Sequence, residues 1–311
     1  MQSKIPGPQL NAWLLAATVP TILSIIGQNG WLTALLAALA CGVLSVCILA
    51  CNQKEMPRWL CVLELLWLTV LLGGLAAESA ACWAEADAFP AIPMTLLAIS
   101  ALAARDGGVR AGRTGAVLLW LALPVLGIVF LAGTADRNWT WVRQGMEVPD
   151  GTLVALLLIP CLRFFLPQER SKKQYWICVA LVPIAVIASV IMDAVMGAEV
   201  AQSAPNTFYE FSKSVTLLGV AERFEALVAC ALTGGWFALF SILLSAVHHL
   251  TEKTLSLDGK WLVWFCTVAA AGLMCILPNK SEWMAIGCLI FWGFLPVAAQ
   301  GIESRKNIEK K

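Results

Sequence analysis

The chain has 311 residues, of which 59% are hydrophobic and only 13% are charged. Soluble globular proteins carry about 25% charged residues, so the composition excludes an ordinary soluble domain and predicts an all-α integral membrane protein. The formal net charge of +1 gives no sign of a basic surface, and no nucleic-acid partner is expected.

Apolar segments of the length needed to cross a bilayer, about 17 to 25 residues, recur ten times along the chain with short loops between them. No stretch is left for a second, soluble domain, so residues 1–311 are predicted to form a single transporter-like transmembrane domain. The predicted spans are 9–26, 30–51, 58–77, 88–104, 115–133, 150–166, 174–197, 221–247, 260–277 and 282–300.

The positions of lysine and arginine favour ten spans with both termini in the cytoplasm. Basic residues accumulate on the cytoplasmic side of membrane proteins. In this arrangement 16 of the 21 lysines and arginines fall in inner segments and 5 in outer ones. Removing any one span would disturb the alternation after it, so the sequence predicts a multi-pass cell-membrane protein with cytoplasmic termini.

Ten spans divide into two halves of five, and an odd number of spans in each half gives the halves opposite orientations. This is typical of a 5+5 inverted repeat, in which the first helix of each half is often broken near mid-membrane. Pro20 in the first span and Pro160 in the sixth each remove a helix hydrogen bond, so helices 1 and 6 are predicted to be broken there. The alternative is that each proline only kinks its helix.

A ligand-binding pocket is predicted between the breaks at Pro20 and Pro160. In such a pocket, backbone N–H groups at a half-helix end would hold a carboxylate. The hydroxyls of Thr18, Thr21 and Ser24, which surround Pro20, are candidate ligand-binding groups. The alternative is that these hydroxyls bond to carbonyls of their own helix.

A pair of opposite charges is predicted near the inner side of the bundle. Arg163 in the sixth span and Glu64 in the third lie at similar depth, and charges inside a membrane protein are stabilised by pairing. The alternative is that Arg163 extends its side chain to lipid phosphates.

Glu222, Arg223 and Glu225 form a dense charge cluster that leads directly into an apolar span. The two glutamates are three residues apart, so they share a face of a helix. Two interpretations stay open. The cluster is either an acidic outer vestibule that attracts a cation or an ammonium group, or an ion-pair cap that holds the preceding segment over the eighth span.

The segment before this cluster, residues 208–218, has the spacing of an amphipathic helix. One face carries Phe208, Phe211, Val215 and Leu218. Because the segment follows the seventh span on the outer side, it is predicted to lie across the mouth of the bundle.

The sequence offers no catalytic or metal-binding arrangement. His248 and His249 are adjacent and would point apart on a helix, and no Cys-x-x-Cys or Cys/His pair has metal-ligand spacing. No nucleophile and base, and no acidic metal-binding pair, lie at one depth. An enzyme, a metal site and a cofactor are therefore not expected.

Residues 207–236 carry a family resemblance. They include Tyr209, Ser214, Val215, Leu218, Gly219, the run Glu222-Arg223-Phe224-Glu225-Ala226-Leu227, and Trp236. This pattern resembles the region before and into the eighth helix of the B subunits of spore germinant receptors, the endospore germination permeases of the amino acid-polyamine-organocation transporter superfamily. Gln9-Leu10 and Gly30-Trp31-Leu32 are similar to the amino-terminal pattern of the same family.

The resemblance implies a ten-helix inverted-repeat bundle in the inner membrane of a dormant spore, beside a lipoprotein subunit and a multi-domain membrane subunit. It implies that the protein senses a small nutrient, an amino acid in many family members, and triggers germination. Ion or solute movement during signalling stays open. The alternative function is that of an autonomous amino acid secondary transporter of the same superfamily.

Overall fold

A computed structural model describes residues 7–26, 35, 39, 57–83, 91–106, 108–134, 137–142, 172–215, 224–252, 258–277, 281–296 and 298–299. All regular structure within these ranges is helical. The predicted spans 30–51 and 150–166 lie outside the described residues, apart from positions 35 and 39.

The described helices are named here in chain order. They are α1 (Gly7–Ile26), α2 (Arg58–Cys82), α3 (Ala91–Ala104), α4 (Val109–Gly133), α5 (Trp139–Val142), α6 (Lys172–Met196), α7 (Ala198–Ser203), α8 (Thr207–Ser214), α9 (Phe224–Leu250), α10 (Gly259–Met274) and α11 (Ser281–Cys288), which continues as one π-helical segment, Leu289–Phe294.

Three of these helices, α2, α4 and α9, are long and apolar enough to cross a membrane. Helices α3 and α10, and residues Pro183–Met196 of α6, are apolar but shorter. The prediction of an all-helical, apolar architecture is therefore confirmed over the described residues. The ten-helix 5+5 repeat is not confirmed by them.

Helix α9 lies at the centre of the bundle. It packs against α1, α2, α3, α4, α8 and α10, and every residue from Ala238 to His248 is buried. A helix that is apolar on all sides lies either in a protein core or in a membrane, and the sequence of α9 has this character. Helix α1 is covered in the same way, because all residues from 16 to 24 are buried.

The predicted break of the first helix at Pro20 is wrong, since α1 runs without interruption from Gly7 to Ile26. A proline inside a helix is tolerated in a membrane bundle when neighbouring helices and hydroxyl side chains compensate for the lost hydrogen bond. Pro20 packs against Gly235 of α9. A Cβ atom added to Gly235 would lie 2.9 Å from the Cγ atom of Pro20, which is too close for a side chain. The Ser24 hydroxyl donates a hydrogen bond of 2.9 Å to the Pro20 carbonyl.

Close contacts along α9 fix the directions of its neighbours. Pro20 of α1 contacts Gly235 of α9. Trp13, seven residues earlier in α1, contacts Gly108, which itself lies against Ser245, ten residues later in α9. The two helices are therefore antiparallel. Helix α4 is also antiparallel to α9, because Gly108 lies against Ser245 and Leu118 against Gly234.

Helix α3 runs parallel to α9. The Ser100 hydroxyl donates a hydrogen bond of 3.2 Å to the Phe237 carbonyl, and Gly108, just after α3, meets Ser245. Residues later in the first segment thus contact residues later in α9, which is the pattern of parallel helices.

Helix α2 is parallel to α10 and antiparallel to α11. Gly73 lies against Ala270 and Leu273 of α10, and Thr69, one turn earlier, lies beside Cys266. On its other side, Gly74 meets Trp283 and Trp67 meets Gly287, so α11 runs in the opposite direction. The indole of Trp67 also stacks on Phe291 at 5.0 Å between centroids.

We expect Gly235→Ala to destabilise the protein, because the new Cβ would overlap the ring of Pro20. Overpacking of this kind costs about 1 to 3 kcal/mol. Thermal unfolding of the purified protein, followed by tryptophan fluorescence, measures the effect. Gly127→Ala is the matched control, because an added Cβ at Gly127 meets nothing within 4 Å. Equal melting temperatures for the two variants would contradict the prediction.

Candidate functional site

Helix α8 is short and amphipathic, and it lies across the end of the bundle at which α2 and α4 finish, named here the upper end. The rings of Phe208 and Phe211 are fully buried, and each lies 6.1 Å from the ring of Phe130 near the end of α4. Gly133, the last residue of α4, leaves room for the Phe211 ring. This confirms the predicted amphipathic helix from Phe208 to Ser214. Val215 was predicted to continue the helix, but it follows the helix end in an extended conformation, with its side chain buried.

The beginning of α8 is fixed to neighbouring segments. The side-chain oxygen of Asn206 accepts a hydrogen bond of 3.3 Å from the Tyr209 N–H, which caps the helix. The Thr207 hydroxyl donates to the carbonyl of Ala201 at 3.1 Å. The Tyr209 ring lies 5.8 Å from the indole of Trp83 at the end of α2. Helix α8 therefore bridges the upper ends of α2 and α4.

The opposite side of α8 is polar. Lys213 donates a hydrogen bond of 2.6 Å to Glu210, and its ammonium lies 4.6 Å from the centroid of the Tyr209 ring. The two charges pair with each other on the exposed side of α8, and the buried side of the helix carries aromatic rings.

Of the predicted charge cluster, the structure describes Glu225 alone, and Glu222 and Arg223 lie outside the described residues. Glu225 is half-buried in the first turn of α9. A carboxylate at this place is stabilised by the partial positive charge of a helix N-terminus. Whether the cluster forms a vestibule or an ion-pair cap stays open.

The hydroxyls predicted to bind a ligand are buried in α1 and bond to their own helix. Thr18 donates to the Leu14 carbonyl at 2.7 Å, Thr21 to the Ala17 carbonyl at 2.7 Å, and Ser24 to the Pro20 carbonyl. This is the alternative that the sequence left open. Each oxygen keeps its acceptor capacity, so a role for Thr18, Thr21 or Ser24 in accepting a hydrogen bond from a ligand stays a prediction.

The other predicted partners can be placed only in part. Glu64 is fully buried in α2, whereas Arg163 and Pro160 lie outside the described residues. The Glu64–Arg163 pair and the pocket between Pro20 and Pro160 therefore stay predictions.

Two further acids are buried near the upper end, Glu78 in α2 and Asp193 in α6. The sequence analysis gave neither of them a role. Glu78 follows Trp67 and Gly74 by eleven and four residues, so the three share the face of α2 that packs on α11. The helical periodicity of the sequence could have predicted the burial of Glu78, because it places this residue on the same face as a tryptophan and a glycine that contact a neighbouring helix.

Among the described residues, no group of three His, Cys, Asp or Glu side chains lies close enough to hold a metal ion. Comparison with protein-family models gives no match, and no curated protein matches the sequence.

We expect Phe211→Ala to release α8 from the bundle, because truncating a buried phenylalanine removes about 3 to 5 kcal/mol of packing. Hydrogen exchange measured by mass spectrometry should show faster exchange of the amides in Thr207–Ser214 and little change in the middle of α9. Lys213→Ala is the control, since the exposed Lys213 makes a surface ion pair with Glu210 that is worth little. Unchanged exchange in α8 of the Phe211→Ala variant would show that the aromatic contacts do not hold the helix.

Proposed function

We propose that the protein is a permease-like membrane subunit of a spore nutrient-germinant receptor, which senses a small nutrient and triggers germination. The observation that carries this proposal is the pattern of residues 207–236, which resembles the endospore germination permeases. In the described part of this stretch, α8 lies across the upper end of the bundle and α9 forms its centre. Of the described residues that carry the resemblance, Tyr209 lies in the helix that covers the bundle and Trp236 is fully buried in the central helix.

The directions of the described helices support a ten-span arrangement for this function. Predicted spans 1, 3, 5 and 9 must run one way and spans 4, 8 and 10 the other. The corresponding helices are α1, α2, α4 and α10 against α3, α9 and α11. The relations found among them are antiparallel for α1 and α9, α4 and α9, and α2 and α11, and parallel for α3 and α9, and α2 and α10. All five agree with the alternation.

A nutrient site in the upper half of the bundle, beside α1 and below α8, is the arrangement we infer. Helix α1 supplies three hydroxyl oxygens with unused acceptor capacity. Such oxygens suit the ammonium group of an amino acid, and backbone N–H groups near Pro160 would take its carboxylate. Glu222, Arg223 and Glu225 would act as the clamp of α8, so that a change at the site alters the position of this helix.

Sensing and transport differ in what they require of partners. A receptor subunit signals through a lipoprotein and a multi-domain membrane subunit, whereas an autonomous amino acid transporter works without them. Adjacent genes for such subunits would favour the receptor, and an isolated gene would favour transport.

Deletion of the gene tests the proposed function. We expect spores without it to lose the response to one nutrient or nutrient mixture while they still germinate with others, and an added copy should restore the response. Uptake of labelled amino acids into vesicles that contain the protein alone tests the alternative. Strong uptake together with normal spore germination would contradict the receptor and favour the transporter.

Thr21→Val tests the proposed nutrient site. Valine keeps the shape of the side chain and removes the oxygen. If the nutrient donates a hydrogen bond to Thr21, spores with the variant should need about a tenfold higher nutrient concentration for half-maximal germination. Thr95→Val is the matched control, because Thr95 is exposed on α3 and bonds to its own helix in the same way, at 2.8 Å from the Ala91 carbonyl. An unchanged dose curve for Thr21→Val would remove Thr21 from the site.

A further inference from the structure

An open cavity of about 250 Å³ lies at the lower end of the bundle, where α3 ends and α10 begins. Arg105, from the turn after α3, lines one side of it. The other side is formed by Asp258, Lys260, Trp261 and Trp264 at the start of α10. Two separate segments of the chain thus bring two cations and two indoles to one cavity.

Described acids neutralise the positive charge of this cavity only in part. The Nε of Arg105 lies 3.7 Å from Asp106, but Asp106 has a nearer partner in Arg110, at 3.1 Å. The ammonium of Lys260 forms no hydrogen bond or ion pair with a described residue. Among the described lining residues, Asp258 is the one acid, and its carboxylate accepts a hydrogen bond of 3.1 Å from the Lys260 N–H as the N-cap of α10. The cavity is therefore suited to an anion.

An exposed apolar surface leads away from the cavity along α10. Trp261, Phe265 and Val268 follow one another at spacings of four and three residues, and their exposed fractions are 78%, 70% and 70%. Ile276, in the turn after α10, is also exposed, at 79%. The opposite side of α10 packs on α2, so these side chains face away from the bundle.

We propose that this cavity binds the headgroup phosphate of an anionic phospholipid. Arg105 and Lys260 contact the phosphate, the indoles of Trp261 and Trp264 lie at the level of the headgroup, and an acyl chain follows Trp261, Phe265 and Val268. Arginine and lysine are the usual ligands of phosphate, and tryptophan is enriched where the membrane meets water. A free anion would use the two cations but none of the apolar surface, which favours a lipid.

The inference needs α10 to lie in a bilayer but does not depend on nutrient sensing. In the proposed topology the lower end is cytoplasmic, and the cytoplasmic leaflet carries anionic lipid. A bound lipid would join α3 to α10, two helices that pack on each other less extensively than α10 packs on α2.

Native mass spectrometry of the full-length protein in detergent tests this site, with phosphatidylglycerol and phosphatidylcholine of identical chains as probes. We expect phosphatidylglycerol to bind more tightly. The double variant Arg105→Gln/Lys260→Gln should bind it about thirtyfold more weakly, because each cation near a membrane surface contributes about a factor of five. Arg58→Gln/Arg113→Gln is the matched control, since the two residues lie near the starts of α2 and α4 at the same end, are exposed, and do not line the cavity.

Three outcomes would overturn the inference. These are equal binding of the two lipids, an equal loss in the control variant, and displacement of phosphatidylglycerol by millimolar sodium phosphate at constant ionic strength, which would identify the ligand as a soluble anion. A second measurement does not depend on the folding of the double variant. The fluorescence of Trp261 is the part of the signal that the Trp261→Phe variant lacks. Phosphatidylglycerol with brominated chains should quench it more strongly than brominated phosphatidylcholine does. Equal quenching by the two lipids would contradict a specific site.

Discussion

The ring of Pro20 occupies the space that the missing side chain of Gly235 leaves open, and this contact joins α1 to the central helix α9, each of which has a fully buried middle segment. Apolar helices gain no hydrophobic energy by associating in lipid, so close packing against small residues must hold them together. The same device recurs where Trp13 meets Gly115, Phe211 meets Gly133 and Trp67 meets Gly287. Each pair places a large ring over a glycine, and together they set the spacing of the bundle.

Five buried hydroxyls of the described bundle bond within their own helix. Thr18, Thr21, Ser24, Thr251 and Thr267 all donate to the carbonyl four residues before them. Such bonds allow a hydroxyl to be buried without a partner on another helix. The bond from Ser100 to the Phe237 carbonyl is different, because it crosses from α3 to α9 and fixes their relative height. A bundle organised in this way can keep hydroxyl oxygens available as acceptors while it stays closely packed.

The helical class and the amphipathic α8 could be predicted because composition and periodicity depend on neighbouring residues alone. The spacing of Phe208 and Phe211 was sufficient to identify the buried face of α8. The continuity of α1 could not be predicted in this way. A proline breaks or kinks a helix according to what packs against it, and Gly235 is more than two hundred residues away. The cavity at Arg105 and Lys260 was missed for the same reason, since its two sides come from the end of α3 and the start of α10.

Helix α8 is attached to the ends of two different helices, to α2 through Tyr209 and Trp83 and to α4 through Phe208, Phe211 and Phe130. Lifting it would expose two phenylalanine rings, at about 1.5 to 3 kcal/mol for each. A molecule without a ligand would then have α8 lifted for only about one part in 10² to 10⁴ of the time. Two aromatic side chains thus set the population of the lifted form, and a ligand makes that form common only if it binds it more tightly by a comparable factor.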